Sequence, residues 1–148
     1  MRVGGHLEKI KKLENIMLKL DEEEDHETIV ENCVLGAAHC INASLHKLGK
    51  LRIDKDIKHN LLEGYLKCDG KVQSTFPIIL GKASGFSVRR EKAIEEKSLE
   101  ISGLMGKIER LRPSHIYDSG RDGNIARIAK ESYFKIKKIC EVIIGEQV

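Results

Sequence analysis

The chain has 148 residues, of which 41% are hydrophobic and 33% charged, with no Trp, two Pro and a formal net charge of +3. A chain of this length forms one ordinary domain that buries about two-thirds of its unfolded surface and needs no disulfide or metal to fold. The near-balanced charge excludes nucleic-acid binding argued from net charge alone, and no apolar run is long enough to span a bilayer.

In chain order, the pattern predicts a first helix over residues 5–20, with Leu7, Ile10, Leu13, Met17 and Leu20 on one stripe. Residues 21–24 form a short polar link. The longest helical pattern follows over residues 25–48, with Asp25 as the expected N-cap, Glu27 and Glu31 favouring the positive end, and Gly49 closing it. Ile29, Val30, Cys33, Val34, Ala37, Ile41, Leu45 and Leu48 share one face, and Leu35, His39, Asn42 and His46 lie roughly opposite. A helix with two usable faces sits centrally in a bundle or between two subunits.

After Gly49, LRIDKDIKH reads as a loop, and a shorter helix is expected over 56–67 with Ile57, Leu61, Leu62, Tyr65 and Leu66 inward. Residues 68–86 are the least regular, with a turn at Asp69-Gly70 and breaks at Pro77, Gly81 and Gly85. Ser87 can cap a fourth helix over 88–111, whose apolar positions are Ala93, Ile94, Ile101, Leu104, Met105, Ile108 and Leu111. Pro113 disfavours helix at Arg112 and ends it. SHIYDSGRDG is turn-rich. The last helix, 122–144, is expected to bury Ile125, Ile128, Ala129, Ser132, Ile136, Ile139, Cys140 and Ile143, and Gly145 ends it. There is no alternating strand pattern and no internal repeat. The expectation is a single all-α domain over residues 1–148, an up-and-down bundle of four to five helices.

Cys33, Cys40, Cys68 and Cys140 form no Cys-x-x-Cys pair and read as small buried hydrophobes of a reducing compartment. The start, MRVGGHLEK, is polar at once and unlike a signal peptide, so a cytoplasmic protein without a membrane partner is expected. Basic residues load the C-terminal half, which points either to an anionic ligand or to solvated helix faces. His39, Asn42 and His46 recur on one stripe. They can line a pocket for a nucleotide or phosphate, or form a polar layer that fixes register between helices or subunits. His39 and His46 stand about 10 Å apart along a helix axis, too far to share one ion, and no carboxylate lies on their stripe. Even with His59 or His115 to complete a set, no metal and no cofactor is expected. Residues 81–85 lack the spacing and the preceding strand of a phosphate loop. Tyr117 and Tyr133 read as packing residues.

The segments AAHCINASLHKLG, HNLLEGYL, LRPSHIYD and ARIAKESYFKIKKICEVI, in that order, resemble the HEPN domain family of small helical bundles in bacteria and archaea. The resemblance covers residues 7–144 and implies a homodimer associated with nucleotide or RNA, in some members with a partner protein. Many members are metal-independent ribonucleases. Their motif, an Arg followed four to six residues on by a His, falls on Arg110 and His115, with Leu111 where active members carry a polar residue and Pro113 inside the motif. Arg52 and His59 give a second, looser match ahead of the third helix. The chemistry would use His115 as base for a 2′-hydroxyl and Arg110 as the cation facing the phosphate. Alternatively, Arg110, Arg112 and His115 simply place cations at a helix's negative end. Two functions follow. One is a non-catalytic dimeric binding or interaction module using His39, Asn42, His46, His59 and Arg112, which is preferred because of Leu111 and Pro113. The other is a metal-independent endoribonuclease.

Overall fold

A computed structural model describes residues 1–67, 88–112 and 123–145, with side chains described from residue 97 onward in the second segment. It contains α1 (Val3–Met17), α2 (His26–Lys47), α3 (His59–Lys67), α4 (Val88–Arg110) and α5 (Gly123–Ile144). Among the described residues there is no strand, so the protein is all-α, as its periodicity predicts. None of the described helices is long and apolar enough to cross a membrane.

α2 is the central rod. It packs along α1 and α5, while α3 lies against α4 and α4 against α5. All eight residues of its predicted apolar face are buried, from Ile29 to Leu48. Its opposite stripe is covered only toward the C-terminal end: Asn42 is 3% and His46 7% exposed, His39 is half-buried and Leu35 is exposed, so the expected second covered face is half the predicted length. Gly36 lets α5 come close: a Cβ there would lie 2.8 Å from Cε1 of the buried Tyr133 ring. α2 ends where Gly49 takes φ +69°. The Gly49 N–H donates to the His46 carbonyl and the Lys50 N–H to the Leu45 carbonyl, a paired closure that only a left-handed residue makes cheaply.

Three local expectations need correction. Asp25 occupies the N-cap position of α2 but makes no side-chain capping bond. Its carboxylate accepts the Asp21 N–H instead, and Asp21 accepts from Glu23 and Glu24, so these side chains close the link rather than cap the helix. α3 starts at His59, not at residue 56, because Asp56 and Ile57 are drawn into contacts with α1 and α2. Leu61 is 57% exposed, since the buried pair Leu62 and Leu66 defines the inner face of α3. Cys33, Cys40 and Cys140 are buried free thiols, as expected. Cys68, residues 81–85, Ser87, Pro113, His115 and Tyr117 lie outside the described residues.

Candidate functional site

The site arises where α1, α2 and the segment between α2 and α3 meet. The closure at Gly49 turns the chain so that residues 51–57 pass back along the polar stripe of α2. Leu51 meets His46 first, with its carbonyl 3.0 Å from Nδ1. Further on, Asn42 grips Ile57 by both backbone groups. Its Oδ1 accepts the Ile57 N–H at 2.8 Å, and its Nδ2 donates to the Ile57 carbonyl at 2.9 Å. Between these two anchors stands Asp56. Its Oδ1 is 2.8 Å from His46 Nε2 and 3.0 Å from His6 Nε2 on α1. Its Oδ2 accepts from the Met1 amine at 3.0 Å. The far nitrogen of His6, Nδ1, is 2.8 Å from His39 Nδ1. The His6 and His46 rings lie face to face, 5.3 Å between centroids, so both point an edge at the same carboxylate.

Electrostatics follow from burial. The His6 side chain is 1% exposed and that of His46 0%, while Asp56 remains 36% exposed at the rim. Burial lowers His6 to about 4, against the upward pull of Asp56, with His39 and His46 adding to the depression. His39 is lowered for the same first reason, burial, opposed by Asp56 and reinforced by Lys9. Desolvation pushes Asp56 up, but hydrogen bonds from His46 and the terminal amine, and the field of His6, outweigh it and hold the carboxyl at about 2.

The proton inventory is constrained at one point. A backbone carbonyl only accepts, so His46 Nδ1 carries a proton. Its Nε2 then faces an ionised carboxylate oxygen at 2.8 Å. Both ring nitrogens of His46 therefore face acceptors, and a cation placed between Nε2 and Asp56 would satisfy that side. The His6–His39 pair is free of that constraint, because one Nδ1 donates and the other accepts.

The remaining sequence candidates form a separate network. His59 Nδ1 pairs with Glu109 Oε1 at 2.5 Å. Arg112 Nε donates to Glu31 Oε1 at 2.8 Å, and its Nη1 stands 3.6 Å from Glu109 Oε2. The bond to Glu31 raises the Arg112 guanidinium above its ordinary value. Arg110 lies 3.6 Å from Glu63, which Lys67 also holds and lowers. His59 and Arg112 therefore do not join His39, Asn42 and His46.

Two residues of the centre escape sequence reasoning. His6 had a signal, since it falls on the inner stripe of α1 four residues before Ile10. Asp56 had none, as one of two acids in a polar loop. Compared with known proteins, the chain matches no family model, no curated protein and no solved structure.

Proposed function

We propose that this protein is a non-catalytic helical binding module, HEPN-like in its order of helices, whose site is the centre formed by His6, His39, Asn42, His46 and Asp56. One observation carries the reading: three elements bring three imidazoles and a carboxylate together at a largely buried point with one edge at the surface. Burying such groups is costly unless each is paired, and apolar side chains would fill the same space without that cost. A role in binding supplies a reason for retaining them.

The competing ribonuclease reading needs an arginine available to a phosphate. Arg112 is instead flanked by Glu31 and Glu109, and Arg110 by Glu63, so carboxylates repel an incoming phosphate at both positions. With mixed-sequence single-stranded RNA, wild type and His115→Ala are expected to show the same absence of cleavage. Cleavage by wild type that the substitution abolishes would overturn the binding reading.

A second reading, retention of RNA or nucleotide without cleavage, is favoured by the outer face of α5. Arg127, Lys135 and Lys138 surround Phe134, whose ring is partly exposed, with Glu131 among them and Lys130 paired to Glu22. Phosphates and a stacked base suit that combination. Binding of a labelled oligonucleotide that weakens steeply with salt, and is lost in Lys135→Glu/Lys138→Glu, is its test; unchanged binding in the double variant removes it. Pairing with a second copy belongs to the same HEPN-like proposal. Fifteen of the 22 residues of α2 are already buried within one chain, so the contact would fall on other helices. Sedimentation at tens of micromolar tests it, with a dimer expected.

A further inference from the structure

We propose that His6 Nε2, His46 Nε2 and Asp56 Oδ1 form a site for a divalent first-row transition-metal ion of the zinc class. The inference rests on the binding-module reading and supplies its ligand.

The three ligand atoms lie within 4.8 Å of one another. Two of the separations are 2.8 and 3.0 Å. An ion bound tetrahedrally at about 2.0–2.2 Å holds neighbouring ligand atoms about 3.3 Å apart. Shifts of a few tenths of an ångström bring these two separations to that value, and the third, between the two histidine nitrogens, lies within 4.8 Å.

The surroundings are those a metal-binding imidazole requires. A ligating histidine carries its proton on the other nitrogen and donates it to a fixed acceptor. His46 meets this through the Leu51 carbonyl, and His6 through His39 Nδ1. With an ion in place, both Nε2 lone pairs point at a cation. The ion then bridges the 2.8 Å approach of His46 Nε2 to the carboxylate. His39 then acts as a positioning residue, not a ligand.

Ligand chemistry sets the class of ion. Two imidazoles and one carboxylate suit zinc, cobalt, nickel or ferrous iron, and fit poorly with the all-oxygen demands of magnesium or calcium. Three protein ligands leave at least one position for water or an external ligand, and the exposed edge of Asp56 provides the entry. The buried thiols do not compete. Burial pushes Cys33 and Cys140 up to about 12 and raises Cys40 as well, so none presents a thiolate.

The test is calorimetric titration of EDTA-stripped full-length protein with Zn(II), with Mg(II) as the control. One Zn(II) per chain at micromolar or tighter Kd is expected, with no Mg(II) binding. Asp56→Asn and His46→Gln should each weaken Zn(II) at least tenfold, whereas His59→Gln should not. Should either ligand variant fail to fold, Co(II) bound to wild type gives a second readout: visible d–d absorption of a four- or five-coordinate site without thiolate charge transfer. Absence of stoichiometric Zn(II) binding, binding unchanged in folded Asp56→Asn, or a cobalt–thiolate band would each overturn the metal site. Those outcomes leave the binding-module reading standing, which only His115-dependent RNA cleavage removes.

Discussion

At the residue scale, the centre couples folding to protons. Burial holds His6 at about 4, below the ~6.5 of a free imidazole. Between these values the unfolded chain binds a proton that the folded chain does not. Stability therefore rises with pH through this window and is fully present above it. His39 is shifted in the same direction and acts with the same sign. Asp56, held at about 2, adds a contribution that is present above pH ~3.9 and lost as pH falls through its folded value. For metal-free protein, the urea midpoint should fall from pH 7 to pH 4.5, with His6 accounting for up to roughly 3 kcal/mol. His6→Gln should lower stability at pH 7 yet flatten this slope. An equally steep slope in the variant would show that the dependence arises elsewhere.

At the element scale, α2 and α5 meet at a glycine and a tyrosine. The Tyr133 ring is 1% exposed and sits where a Gly36 side chain would project. Because the obstacle is a packed ring rather than the end of a flexible chain, Gly36→Ala should cost about 1–3 kcal/mol despite alanine's better helix propensity. The Tyr133 hydroxyl is buried without a hydrogen-bond partner among the described residues. Tyr133→Phe should therefore be neutral or stabilising by about 1 kcal/mol, since it removes an unpaired polar group and keeps the packing. Thermal or urea melts of both variants check this, and a stable Gly36→Ala would mean the helices can separate freely. The same contact marks how far periodicity reads a fold. The apolar face of α2 was legible residue by residue, because a 3.6-residue repeat is a property of one helix. The depth of Tyr133 was not legible beyond its being a packing residue, because that depends on how closely another helix approaches.

At the scale of the whole molecule, the centre joins parts of the chain that are distant in sequence. His6 and His39 are 33 residues apart, and His6 and Asp56 are 50 apart. The polar stripe of His39, Asn42 and His46 was visible in the sequence as an anomaly on a helix face. Its partners were not, because no local pattern records which loop returns along that face. The spacing argument from one helix does not reach this cluster for the same reason: His46 is joined there by His6 from α1 and Asp56 from the 51–57 segment. This geometry implies a local role for Asp56. Residues 51–57 have no helix of their own, and long-range hydrogen bonds to His46 and Asn42 bracket the position where Asp56 ties them to α1. Removing the carboxylate should free this segment and the first turn of α1 while leaving the apolar packing of α2 against α5 intact. In metal-free Asp56→Ala, amide hydrogen exchange is expected to quicken at Ile57 and in the first turn of α1, while the amides around Ile41 and Ile136 keep their protection. Uniform loss of protection would make Asp56 a global fold determinant, and no change at Ile57 would mean that Asn42 alone holds the returning chain in place.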